Sequence, residues 1–378
     1  MKDRIPLYPG RVKLTAVDGQ PGVYDMVRAD EATEQGTPLS KATLLDDDTA
    51  ESYGLDKDTA VPNDAFKLIN GLLVGANRYV TVKVQTEAGV PIPDVTLSGI
   101  TTVSGGVAKT DANGEAFGVA SGEQTTISVA SPYTDVTIPS QTIATPAGKF
   151  TKVTLTGTLV DFVAITTSSK VRLSALVTRV DVSLVGGGNG GEAGTISGGS
   201  ASGHSGAGGN GGKVATFENV GFSANVEYDA QIGAGGTKNK GVGGDTSIFG
   251  LTSANGQQAK GGAYRSSSQM SVNNAGADGY PVFVSGTETE PFGGAGGGGG
   301  IKIQSSVGNA GGAGGANGGG SGGSAYSDGG EKGADGVNGK GGGGGGGGAT
   351  AYLNDDDYTP SGNGGVGGSG YIGMRIYH

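Results

Sequence analysis

"GKGGGGGGGGATAYLNDDDYTPSGNGG", residues 339–365, decides how the second half of this chain is read. Eight consecutive glycines, 341–348, precede two tyrosines, Tyr352 and Tyr358, and three aspartates, Asp355, Asp356 and Asp357. A flexible linker would hold those side chains nowhere in particular. A folded rod would present them from a fixed support. The surroundings favour the rod. Of 81 glycines, 16 lie in residues 1–185 and 65 in 186–378, about a third of that half. They fall in separate tracts, among them "GGGNGG", "GAGGNGG", "GGAGGGGG", "GGAGGANGGGSGG" and "GNGGVGGSG". Segments rich in large side chains lie between, such as "AYRSSSQMSVNN", "YPVFVSGTETEPF", "IKIQSSV" and "SAYSD". A linker has no reason to alternate in this way. Collagen is excluded, because a strict Gly-X-Y period is missing and only Pro281, Pro291 and Pro360 fall in this half.

Glycine runs can form a fold of their own. Polyglycine II has the geometry of polyproline II, with three residues per turn, a rise of about 3.1 Å and no internal hydrogen bonds. Every N–H and C=O points sideways. In a bundle these groups bond to neighbouring rods, which meets the demand that buried backbone groups be paired. The opposing cost is large, since glycine loses more conformational freedom on folding than any other residue. A β frame that holds the rod ends would limit that cost. The sequence supplies one. "VTRVDVSLVGGG" opens the half with Val180, Val182 and Leu184 on one face, and "GYIGMRIYH" closes it with Ile372, Met374 and Ile376 on one face. Between them, "GGKVATFENVGFSANVEYDAQIGAGG" reads as two strands about a turn, and "GGDTSIFGLTSANGQQAKGG" as a hairpin.

Composition narrows the chemistry. There is no Cys and no Trp, so disulfides, thiolate metal sites and Cys nucleophiles are excluded. The two histidines, His204 and His378, support no Ser/His/Asp set. A net charge of −10 argues against nucleic acid, which needs a basic footprint. No apolar run approaches the roughly 18 residues of a membrane span, so membrane insertion is not expected. "MKDRIPLYPGR" has no apolar h-region, so folding in a cytoplasm without a signal peptide is expected. "GAGGNG", 206–211, matches G-x-G-x-x-G without the strand-to-helix context of a nucleotide site. No cofactor is expected. Nothing indicates paired carboxylates for glycan cleavage, and the chain is read as a non-enzyme.

The first half divides in two. Residues 1–75 read as a small mixed module, with strands "RVKLTAV" and "VYDMVRA" about "DGQPG", a helix or turn in "PLSKATLLDDD", and a helix in "VPNDAFKLINGLL" capped by Asn63 or Asp64, with Phe66, Ile69 and Leu73 on one face. Asp46 to Asp48 and Asp355 to Asp357 are two acidic runs for which solvated charge is the reading preferred over a hard-cation site, and the first run also suits a helix N-terminus. Residues 76–159 read as a β-sandwich. "RYVTVKVQT" alternates Val80, Val82 and Val84 against Tyr79, Thr81 and Lys83, and "VTLSGI", "GVAKT", "TTISVA", "DVTIPSQTI" and "KVTLTGTL" follow at strand spacing. "TDANGEA" is a hairpin turn, with a calcium site from Asp111 and Asn113 the weaker reading.

Four resemblances build on these residues. "YPGRVKL", "YDMVRADE" and "GTPLSKATLL" resemble the N-terminal module of tail-fibre or tail-tip proteins of phages and prophages of Gram-positive bacteria. The "GVPIPD" turn followed by "TDANG" is similar to transthyretin-like or carboxypeptidase-regulatory-like domains, which act as spacers and adhesion modules. The strand ending in Gly-Gly-Gly, "GGDTSIFG", the long tracts and the closing "GSGY" strand resemble the glycine-rich domain at the ends of many phage tail proteins. The tracts also resemble the polyglycine II adhesins that tip T-even-like fibres. These resemblances imply a mainly β, multidomain protein. Its parts would be a tail or baseplate attachment module at 1–75, an Ig-like or transthyretin-like sandwich spacer at 76–159, and a glycine-rich receptor-binding tip at 160–378. They imply a tail-fibre receptor-binding protein in the virion, homotrimeric, touching a host-surface glycan or protein. A structural fibre subunit without receptor contact and a polysaccharide-degrading tailspike stay open as rivals.

Loops on a rigid scaffold are where recognition usually sits, and Tyr gives large contact area at low entropic cost. The candidate contacts are therefore Tyr264, Arg265, Tyr280, Phe283, Phe292, Tyr326, Tyr352, Asp355, Asp356, Asp357 and Tyr358.

Overall fold

The computed structural model describes residues 5–6, 11–28, 32–34, 45–52, 55–67, 77–196, 203–266, 268–269, 271–303, 308–326, 329–351 and 361–378. The protein is mainly β, with several separate sheets. Near the N-terminus, Val12–Ala16 and Tyr24–Arg28 form the expected antiparallel hairpin, with Leu14 opposite Met26. Gly19 and Gly22, at φ 75° and 85°, allow its turn. The helix Asp47–Ser52 starts on an Asp46 cap, whose carboxylate accepts the Thr49 N–H at 2.7 Å. This is the helix-terminus role for the acidic run. The next helix begins at Pro62, not at Asn63 or Asp64. Asp64 instead reaches back to accept the Val61 N–H at 3.1 Å, as the acid of a capping box does. Phe66 is 62% exposed, and Ala65 is the residue of this turn that is buried. Ile69 and Leu73 lie outside the described residues.

The sandwich is one continuous sheet that folds over itself. Its strand order is Val136–Thr137, Phe150–Leu159, Tyr79–Thr86, Glu115–Ala120, Thr96–Thr101, Gln124–Ala130 and Gln141–Ala144, with Val107–Lys109 beside Thr96–Thr101. The fold-over happens inside one strand. Thr96, Leu97 and Ser98 pair with Gln124–Ala130, whereas Ile100 and Thr101 pair with Glu115–Ala120. Gly99 stands between the two registers at φ 93°, where a Cβ would run into the Thr126 carbonyl. Val80, Val82 and Val84 are fully buried, as their alternation predicts. Glu115–Ala120 was not expected as a strand, because its inward residues Ala116 and Ala120 are small and Gly118 has no side chain. The Asp111 carboxylate accepts the Asn113 and Glu115 N–H groups at 2.8 and 2.9 Å, which is the turn reading of "TDANG".

The glycine-rich half hangs on a four-stranded antiparallel sheet ordered Phe162–Ile165, Tyr371–Tyr377, Arg179–Val185 and Val214–Phe217. The opening and closing strands pair directly, Val182 opposite Met374, and their apolar faces are buried. The two strands expected about a turn near Val220 exist but do not form a hairpin. Val214–Phe217 joins this frame, and Glu227–Ala230 pairs with Ser169–Arg172. The hairpin Ser247–Ile248 and Leu251–Thr252 turns at Phe249 and Gly250, both with positive φ.

From the frame, glycine rods run side by side, and 341–348 is their hub. The Gly343 and Gly346 amides donate to Gly294 and Gly297, those of Gly344 and Gly347 to Asn189 and Glu192, and those of Gly345 and Gly348 to Ala334 and Glu331. In return, the Gly341, Gly344 and Gly347 carbonyls accept from Gly212, Gly209 and Gly206. Gly343 and Gly346 accept from Gly320 and Gly323, and Gly342, Gly345 and Gly348 from Gly368, Gly365 and Gly362. Each neighbour is met at every third residue, the turn of polyglycine II. The hub thus has six lateral partners, three receiving its amides and three bonding its carbonyls.

Position in the lattice dictates where side chains are tolerated. A Cβ on any residue of 342–348 would overlap a neighbouring carbonyl. Outer rods have one or two free directions in three. In "AGGAGGA", 310–316, Ala310, Ala313 and Ala316 are exposed, and in "NGGV", 363–366, Asn363 and Val366 are. At the margin of the lattice, side-chain amides continue its bonding. Asn210 Oδ1 accepts from Gly261 at 2.9 Å, and the buried Asn274 Nδ2 donates to Gly298 and Gly299 at 3.0 and 3.2 Å.

The sandwich is bonded to the strand Ser169–Arg172 and the turn that follows it. Buried Asp135 accepts from the Ser174 N–H at 2.8 Å and hydroxyl at 2.5 Å, and Arg172 donates to Asp94 at 3.0 Å. Lys109, then Arg172, hold the Asp94 carboxyl below its ordinary pKa. Within the frame, burial pushes the Asp181 carboxyl up, but Arg179, the Asn219 N–H and the Tyr377 hydroxyl outweigh it and leave the pKa lowered.

Two predictions follow from this packing. Gly345→Ala places a methyl against the Ser321 carbonyl, and no rotamer relieves it. It should cost about 3 kcal/mol or more in a denaturant titration, while Ser321→Ala on an exposed outer position should stay within about 0.5 kcal/mol. Asp181, with a lowered native pKa, contributes stability that is complete above its unfolded value of about 3.9 and is lost as pH falls through the native one. Asp181→Asn should therefore lower the melting temperature at pH 7 and flatten its fall below about pH 4.

Candidate recognition surface at the far end of the bundle

The rods place their connectors. Gly186 and Gly341 lie against the frame, next to Val185 and Ser369. Eight residues at about 3.1 Å each carry the chain about 25 Å from there. At that far end, Thr195–Ile196 pairs with Gly203–His204, Ile301–Ile303 runs parallel to Ala349–Ala351, and Ala325–Tyr326 pairs with Gly329–Gly330. His204 also bridges to Ser266. Strand ends from five separate parts of the chain therefore meet at this end.

The described side chains there are aromatic and polar. Tyr264 is 47% exposed and meets the His204 ring edge-on at 5.4 Å. Tyr326 is 50% exposed. Arg265 is committed to the scaffold. Its Nε donates to the Val272 carbonyl at 3.1 Å and its Nη1 to that of Ala310 at 3.3 Å, and its backbone exchanges bonds with Ser205. It ties Val272 and Ala310 to the Ser205 strand end and is itself half-buried. This surface offers ring faces, hydroxyls and an imidazole, the groups that contact a ligand without consuming it.

The other candidates divide by position. Tyr280, Phe283 and Phe292 are at the frame end of the rods, on the hairpin Tyr280–Phe283 with Thr289–Phe292. Phe283 and Phe292 are 6% and 5% exposed and belong to the core. The Arg375 guanidinium covers the Phe283 ring at 4.1 Å, and Phe292 packs on Tyr371 at 4.8 Å. Burial pushes the Tyr371 hydroxyl up to about 12, and it donates to the Phe283 carbonyl at 3.0 Å. The bundle thus brings Tyr264, Arg265 and Tyr326 to one end and Tyr280, Phe283 and Phe292 to the other. Tyr352, Asp355, Asp356, Asp357 and Tyr358 lie outside the described residues, and follow directly on the far-end strand Ala349–Ala351. His204 was not among the expected contacts. Its signal was its place one residue ahead of the glycine tract that begins at Gly206, whereas Tyr264 and Tyr326 follow theirs by a residue or two.

A family model described as a glycine-rich domain matches residues 164–377, more than half of the chain. No curated protein matches it.

Proposed function

We propose that this chain, which belongs to the glycine-rich domain family, is a receptor-binding subunit of a phage tail fibre or tail tip, or of a phage-derived particle. One observation carries this reading: a hydrogen-bonded glycine lattice gathers strand ends from five parts of the chain at one end and leaves Tyr264 and Tyr326 exposed there. Ordering so much glycine is entropically costly. Such a scaffold suits a part whose loops must be held firmly while their sequences change. The N-terminal hairpin supports the attachment half of the reading. On the N-terminal hairpin, Val12, Leu14, Tyr24 and Met26 share one face and are 46–70% exposed. A lone two-stranded hairpin is marginal in water, and a tail or baseplate partner would cover that face. Assembly as a homotrimer within the virion belongs to the same proposal.

The full chain, labelled and folded, should bind cells of a susceptible strain, and free chain should compete with adsorption of the parent particle. The Tyr264→Ala, Tyr326→Ala pair should reduce binding tenfold or more without lowering the melting temperature. Folded chain that binds no susceptible strain contradicts the proposal.

A further inference from the structure

We infer that the outer face of the sandwich sheet is a second binding site, and that it takes a carbohydrate chain. The site stands apart from the bundle and does not rest on the receptor-binding reading. Three rings meet on neighbouring strands. Tyr79 lies 5.0 Å from Phe150 and 5.5 Å from Phe117, with interplanar angles of 13° and 10°. The two phenyl rings are 6.4 Å apart and 21° from parallel. These distances close a triangle and not a row. The phenyl rings therefore sit side by side, and Tyr79 stacks across the gap between them. Tyr79 is the least exposed of the three, whereas Phe117 and Phe150 are 46% and 61% exposed. The outcome is a two-ring platform facing solvent, backed by a third ring whose hydroxyl accepts from Asn77 at 3.2 Å.

Two phenyl rings exposed together on one sheet face form a contiguous apolar patch, which a ligand can cover with a gain in burial. Cross-strand contact alone would explain a cluster with buried faces, but not faces turned outward. The surroundings identify what covers them. Beside the platform, Thr81 sits between Lys152 and Phe117 in register, and Lys83 lies one pair further along. Glu115 stands opposite Lys83 on the same face, so the flat apolar rings are joined to a row of hydroxyl, ammonium and carboxylate groups. A sugar ring has the matching character. Its C–H face carries partial positive charge and is drawn to the negative face of an aromatic ring, while its hydroxyls need polar partners at the rim. A protein partner fits less well. The two phenyl rings offer about 200 Å² of apolar surface, against about 800 Å² per side for a standard interface. Nucleic acid would also stack on aromatic rings, but it needs a positively charged groove, and this chain carries a net charge of −10.

The test is affinity electrophoresis of the full chain in gels containing hydroxyethylcellulose, galactomannan or laminarin. At least one of these soluble polysaccharides should retard the wild-type protein. The Phe117→Ala, Phe150→Ala pair should weaken that retardation at least tenfold. Phe150→Thr, which keeps a strand-compatible residue at the most exposed ring, should weaken it several-fold with an unchanged melting curve. Tyr264→Ala with Tyr326→Ala should leave it intact, so that failure at the bundle tip and failure here are read separately. No retardation by any of the three polysaccharides overturns the inference. So does equal retardation of the phenylalanine variants. Concentration-dependent self-association that these variants abolish would assign the face to a protein contact instead, and would equally overturn it.

Discussion

The glycine-rich half depends on one constraint: a peptide group can bond sideways to a neighbouring rod only where no Cβ stands between them. Polyglycine II has no hydrogen bonds of its own, so an isolated rod gains nothing to set against the freedom it loses. In the bundle each rod is completed by the others. The run 341–348 bonds to six of them and every one of its residues is buried. The β frame makes this possible by holding rod ends in register. Arg179–Val185 leads straight into the rod beginning at Gly186, and the last rod leads back into Tyr371–Tyr377. Frame and lattice are therefore interdependent. The frame limits the entropy that the glycines lose, and the lattice fixes the spacing at which the connectors emerge.

The same constraint explains which parts of the molecule could be read from its sequence. The framing strands were legible because Val180, Val182 and Leu184 alternate against polar neighbours and Ile372, Met374 and Ile376 do likewise. The lattice was legible as a class of structure, but its arrangement carries a finer signal. Glycine at every position marks the hub, and Gly-Gly-X, as in "AGGAGGA", marks a rod with one outward direction in three. "EKGADGV", with glycine only at 333 and 336, marks a rod with two. A period of three carried in separate short tracts differs from the unbroken period of collagen.

Other features were settled by pairings distant in sequence. Phe283 and Phe292 resemble loop aromatics because glycine flanks their hairpin, yet Tyr371 and Arg375, some 80 to 90 residues later, enclose them. Arg265 has the composition of a binding residue and the geometry of a clamp. Glu115–Ala120 escaped notice because its inward positions hold only Ala and Gly, so that no apolar alternation shows. Gly99 could be recognised as a crossing point only once the two registers on either side of it were known. Local pattern identifies elements. Which of two ends a loop occupies, and which aromatic is enclosed, depends on the topology of the rods.

The lattice account is tested most directly by amide hydrogen exchange across 341–348 in the intact chain, followed by NMR or by mass spectrometry of overlapping peptides. An amide bonded inside a cooperative bundle opens only with global or near-global unfolding. The account predicts that amides of 343–348 are protected as strongly as those of the frame strands Arg179–Val185 and Tyr371–Tyr377. Exchange of that run at the random-coil rate, with the frame still protected, would contradict it and return the eight glycines to the status of a linker.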